Sequence, residues 1–142
     1  MESASTSWEA VFEALIQLRD KWPDPSWTYD RRLKCVVASI PIEQGAAAEA
    51  AIALAMPASW TGESLTAAPA STQATATACG GLRAGQKILW DGAAQGAFGL
   101  WWPWGAGKTV TLRIGLHDVD APKERYPRLR DVFGIPQAAA PA

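Results

Sequence analysis

Residues 105–109 read GAGKT, and Gly107, Lys108 and Thr109 match the end of a phosphate-binding loop. Such a loop needs a first glycine five residues before Gly107, and a helix after the Ser or Thr whose N-terminus faces the phosphate. Trp102 stands where that glycine belongs, Pro103 removes one backbone donor, and the residues after Lys108 alternate as a strand does. Nucleotide binding of this type is excluded, and Gly105 and Gly107 are read as turn residues.

Residues 117–120, HDVD, hold the single histidine, His117, with Asp118 and Asp120. A zinc or hard-cation site needs further ligands from elsewhere in the chain, so a turn-and-cap role is expected and no metal or cofactor is assigned. Cys35 or Cys79 with His117 would supply a nucleophile and a base. Cys35 lies in an apolar run, where a thiol is inert. Cys79 precedes Gly80 and Gly81 and is the better nucleophile, because a glycine turn can expose it and aim backbone donors at an oxyanion. Neither cysteine belongs to a CxxC pair, and reduced, buried thiols are expected.

Residues 101–104, WWPW, are the densest part of a chain with eight tryptophans in 142 residues. Tryptophan is large, rigid and amphipathic, and is enriched at binding surfaces. Alternation places Trp102 with Phe98 and Leu100 toward the core, Trp101 on the opposite face, and Trp104 at the tip of a five-residue loop, 103–107. With helices on one sheet face only, Trp101 and Trp104 are exposed or half-exposed. The competing arrangement folds both under residues 58–81 or stacks them on Trp90 or Trp60. The most basic patch is Lys123, Arg125, Arg128 and Arg130, which suits a phosphate or an acidic partner, with the Asp-Arg-Arg run at 30–32 a similar feature. Both also suit a solvated, self-paired face.

The elements that must position these groups begin with a helix. Thr6 and Glu9 form a capping box, and Trp8, Val11, Phe12, Leu15, Ile16 and Leu18 recur on one broad face until Trp22 and Pro23 end it. Residues 26–42 read as one strand or two, broken near 30–32, the second half apolar on both faces and therefore central. An Ala-rich helix follows, with Ala50, Ala53, Leu54 and Met56 as a narrow apolar face and Pro57 as its stop. Residues 58–81 are nearly low in complexity. They are either a short helix between Pro69 and Gly80 or an irregular surface segment. Strands at 87–90, near 97–102 and at 108–116 then form a meander, the last with Val110, Leu112, Ile114 and Leu116 facing inward. A short helix with Pro127 in its first turn and Gly134 as its cap ends the pattern.

This order predicts an α+β fold: an antiparallel sheet of about four to five strands, with a C-terminal three-stranded meander, covered on one face by the N-terminal and Ala-rich helices. One domain over 1–134 and a frayed tail over 135–142 are expected. Thirteen basic against 14 acidic residues give a net charge of −1, which supplies no field for nucleic acid or an anionic membrane. The opening MESASTSWEA lacks the pattern of a signal peptide, and the longest apolar stretch, 46–58, is too short to span a bilayer and contains Glu49 and Pro57. A cytoplasmic protein is expected.

The functional expectation is a non-catalytic protein-binding module, an adaptor, chaperone-like partner or subunit, or a self-associating chain. Trp101 and Trp104 would be its anchors, Trp90 and Trp60 their neighbours, and Arg113 a polar contact. The alternative is a small-molecule or carbohydrate site using the same rings as stacking platforms, with Arg113, Asp91 or Gln95 as polar contacts. A cysteine-dependent enzyme at Cys79 is the lesser alternative.

Overall fold

In the computed structural model, which describes residues 8–24, 26–92 and 95–136, the apolar stripe of the first helix meets a sheet. Helix α1 (Trp8–Lys21) buries Trp8, Val11, Phe12, Leu15 and Leu18 and leaves Glu9, Glu13 and Gln17 in solvent. Thr6 of the expected capping box lies outside the described residues. Strands β1 (Thr28–Asp30) and β2 (Cys35–Pro41) form an antiparallel hairpin, so the break at 30–32 is real. Asp30 makes it: its Oδ1 accepts from the N–H groups of Arg32 and Leu33, and Lys34 follows in the left-handed region at φ 57°.

Helix α2 (Gly45–Ala53) buries Ala48, Ala51 and Ile52, with Ala55 and Met56 buried just beyond it. The expected face was rotated: Ala50, Ala53 and Leu54 are exposed. An alanine run carries almost no amphipathic signal, so its own sequence does not choose a side. Strand β3 (Ala58–Thr61) was not anticipated. Helix α3 (Ala70–Ala78) resolves residues 58–81 in favour of the helical reading. Pro69 is its N-cap, and Gly80 at φ 99° closes it, with Gly80 N–H donating to Thr77 O and Gly81 N–H to Ala76 O. That pair of bonds is a Schellman cap.

Strands β4 (Lys87–Trp90), β5 (Gly96–Trp104) and β6 (Thr109–His117) form the expected meander. Helix α4 (Pro122–Val132) begins earlier than expected: Pro122, not Pro127, fills its first position. Its end is a second Schellman cap, with Gly134 N–H donating to Asp131 O and Ile135 N–H to Arg130 O. Ile135, assigned from sequence to the tail, is half-buried against the core, and residues 137–142 lie outside the described set.

The fold is therefore α+β, with one open, fully antiparallel six-stranded sheet in the order β1-β2-β6-β5-β4-β3. Helices α1, α2 and α4 cover one face over Val36, Ala38, Ile40, Val110, Leu112, Ile114 and Leu116. Helix α3 covers part of the other, over Cys35, Ile88, Trp90, Phe98 and Leu100. Among the described residues no helix is long and apolar enough to cross a membrane.

Candidate functional site

Strand register decides where each tryptophan of WWPW points. Trp101 pairs with Leu112, Trp102 with Thr111 and Trp104 with Thr109. Directly paired residues share a face, so Trp101 joins Leu112 under α1 and α2, while Trp102 and Trp104 join Thr111 and Thr109 on the opposite face. The alternation was read correctly from sequence, and Trp102 does share its face with Phe98 and Leu100, half-buried against the second core cluster, but the opposite face is covered as well. Trp101 is 5% exposed and belongs to the main core. Lys87 Nζ sits 5.3 Å from its ring centroid and 3.7 Å from Glu49 Oε2, closing the solvent side. An exposed role for Trp101 is corrected on this ground.

Trp104 is not at a loop tip. It occupies the last paired rung of β5, and the loop is only residues 105–108, with Gly105, Ala106 and Gly107 all at positive φ. Its ring is 55% exposed, the most exposed large apolar side chain described. The indole is fixed in that position: Nε1–H donates to Thr111 Oγ1 at 2.7 Å, and Thr111 Oγ1 lies 2.7 Å from Ser39 Oγ.

Three successive rungs on this face are left beside α3. Pro41, Thr109 and Trp104 form one, Ser39, Thr111 and Trp102 the next, and Thr28, Val37 and Arg113 the third. Pro41, Ser39 and Thr28 are exposed and Val37, Thr109, Trp102 and Arg113 half-buried, Trp102 at the edge of the α3 cluster. The Arg113 guanidinium lies 4.5 Å from the Trp102 ring centroid and its Nε 3.5 Å from Asp30 Oδ2. Burial pulls the Asp30 carboxyl upward, but the Leu33 and Arg32 N–H groups and Arg113 outweigh it and hold it below its ordinary value. Trp102 Nε1 is a buried donor without a hydrogen-bond acceptor among the described residues, while Arg113 Nε has only its long ion-pair contact with Asp30. An unsatisfied buried donor such as the Trp102 indole costs about 1–3 kcal/mol. The face combines a fixed aromatic anchor, a second indole and an arginine, a combination enriched where binding energy concentrates. Sequence reasoning placed Trp102 in the core, and it does pack half-buried against Phe98 and Leu100; its shared parity with Trp104 was the signal that it also borders this face.

The remaining candidates lie elsewhere. Trp60 is half-buried on edge strand β3, and Trp90 is buried under α3. Trp90 stacks on His117, ring centroids 3.8 Å apart, at the far end of the sheet, where His117 pairs with Gly96. Eight residues of strand separate Gly96 from Trp104, about 27 Å. Asp91 and Gln95 are also at that far end, so of the polar contacts proposed for a small-molecule platform only Arg113 lies on the Trp104 face.

His117 is 3% exposed. Its Nε2 lies 3.0 Å from Asp91 Oδ1 and its Nδ1 2.9 Å from Asp118 Oδ2. Asp91 Oδ2 also accepts from Ala97 N–H at 2.7 Å, and Ser71 Oγ donates to Asp118 Oδ2 at 2.6 Å. The bonds from Ser71 and His117 hold the Asp118 carboxyl below its ordinary range. This network ties α3 to the turn after β6 and the turn after β4. Cys79 and His117 line one cleft, yet both ring nitrogens already face carboxylates, so neither is open to act on the thiol. Burial pushes the thiols of Cys35 and Cys79 up, against thiolate formation. Among the described residues no three His, Cys, Asp or Glu side chains are grouped to hold a metal ion.

The basic patch is a partly self-paired face that also packs on aromatic rings. Arg125 lies 5.3 Å from the Trp8 ring and pairs with Asp120 at 3.1 Å, Arg128 lies 5.3 Å from Phe12, and Arg130 4.7 Å from Tyr29. Three of its four cations thus lie over rings of α1 and β1, while Lys123 and Arg128 are exposed. Comparison with known proteins finds no matching family model, no matching curated protein and no matching solved structure.

Proposed function

We propose that this chain is a protein-binding module whose contact surface is the uncovered sheet face around Trp104. The observation that carries the reading is the immobilised, exposed indole: Trp104 is 55% exposed while its N–H is held by Thr111. A solvent-facing ring that is already ordered loses little entropy when a partner covers it. Trp102 and Arg113 flank it, and Thr28, Ser39 and Thr109 supply a polar rim. The mechanism is burial of Trp104 in an apolar pocket of the partner, with Arg113 and the rim hydroxyls fixing orientation. A protein partner is favoured over a stacked sugar or small ring, because Trp104 is the most exposed aromatic ring among the described residues and Arg113 already occupies a face of Trp102.

The test is parallel affinity capture from the source cell's lysate with wild type, Trp104→Ala and Leu54→Ala, read by quantitative mass spectrometry. Leu54 is also exposed, on the other side of the molecule, and serves as the control. A protein retained by wild type and Leu54→Ala but lost from folded Trp104→Ala supports the reading. Equal recovery by all three chains overturns it.

A further inference from the structure

The chemistry of the Trp104 face selects its partner. Its three rungs beside α3 hold one charged side chain, Arg113, together with four apolar side chains and four hydroxyls. The single charge is already answered: the guanidinium lies 4.5 Å from the Trp102 ring centroid and its Nε 3.5 Å from Asp30 Oδ2.

A twofold contact sets a patch against its own image, so every group in it must tolerate a copy of itself. Ammonium and carboxylate groups fail that condition, because like charges brought together across an interface repel. Apolar rings meet it, and so do hydroxyls, each of which both donates and accepts a hydrogen bond. The Trp104 face is built from those two kinds of group, and a net charge of −1 adds little repulsion between whole chains.

The sheet edges are closed to the same partner. Strand β3 has four residues and follows Pro57, and its last residue is taken: Thr61 N–H donates to Ser64 Oγ at 2.9 Å, and Thr61 O accepts from Ser64 N–H at 3.2 Å. Strand β1 has three residues. Edges so short and so blocked do not template a further strand, which leaves the face.

We infer, resting on the reading of Trp104 as a contact residue, that the partner is a second copy of this chain. The two copies pack sheet face on sheet face about a twofold axis lying between them, and the contact buries both Trp104 rings. The rungs extend about 14 Å along the strands and about 14 Å across from β1 to β5. A patch of that size is at the small end of specific interfaces, so the dimer is a weak one.

Sedimentation equilibrium of the full chain is run from about 5 to 500 µM, a range that brackets a weak dimer. The expected result is a reversible monomer–dimer equilibrium. Trp104→Ala should weaken it at least tenfold and Leu54→Ala should leave it unchanged, with circular dichroism confirming that each variant is folded. Ser39 is exposed in the middle rung. Ser39→Lys and Ser39→Glu should each be monomeric alone, and an equimolar mixture of the two should recover the dimer. A wild type that is monomeric throughout, a dimer unchanged by Trp104→Ala or by Ser39→Lys, or a mixture that stays monomeric would overturn the inference. A monomeric wild type that still captures a different protein through Trp104 overturns the self-pairing alone and leaves the binding surface standing.

Discussion

At the scale of single residues, neighbouring tryptophans are assigned opposite duties. Trp101 is buried between α2 and the sheet, and its loss leaves a large cavity. Trp101→Ala should destabilise the fold by about 3–5 kcal/mol. Trp104→Ala removes one hydrogen bond and a half-exposed ring, costing about 1 kcal/mol. Urea melts of the two variants against wild type check this, and equal losses would mean that Trp104 is core. A second residue-scale expectation concerns acid. The folded Asp118 and Asp30 carboxyls sit below their ordinary values, so the unfolded chain binds protons more readily around pH 4. Their stabilising effect is complete above the unfolded value and is lost as pH falls through the folded ones. Asp118→Asn should therefore flatten the acid limb of the stability profile and leave its neutral-pH shape unchanged. Thermal melts from pH 2.5 to 7 read it.

At the scale of elements, the α3 face depends on close packing at glycine. A Cβ at Gly115 would stand 2.7 Å from Phe98 Cε1 and 2.9 Å from Cys35 Sγ. Gly115→Ala should cost about 1–3 kcal/mol by overpacking, and Phe98→Leu in the same chain should recover much of that. A double-mutant cycle measures the coupling, and additive losses would contradict the packing account. The elements also show what the sequence could and could not disclose. Helix α1 was readable because its apolar stripe meets one buried face, and strand β6 because its large apolar residues alternate strictly, although its other face is largely buried too. The caps of α3 and α4 were readable because Gly80 and Gly134 sit where a left-handed residue is required. The side of α2 was not, since alanine on every face carries no direction, and β3 was hidden in a four-residue stretch, too short for a period to show.

At the scale of the molecule, one sheet serves two cores. Both clusters are built on the same strands, α1, α2 and α4 on one side and α3 on the other. Removing a side chain from either cluster should lower the same unfolding transition. Leu15→Ala and Phe98→Leu should each give one cooperative curve, superimposable by near- and far-ultraviolet circular dichroism. Two separated transitions would show that the α3 layer melts independently. The candidate site follows from that architecture and was therefore out of reach of local pattern. Alternation put Trp101 and Trp102 on opposite faces, but which face the helices cover is decided by long-range pairing with Leu112 and Thr111. The sequence identified Trp104 and Arg113 as contacts; only the register adds Trp102 and removes Trp101.

The central claim is that a partner seats on Trp104. The direct measurement is photo-crosslinking in the source cell, with a benzophenone amino acid placed at position 104 in one chain and at position 54 in another. The account expects a discrete crosslinked protein from position 104 and none of that species from position 54. Crosslinking of that protein from 54 but not from 104, or of no protein from 104, would contradict it.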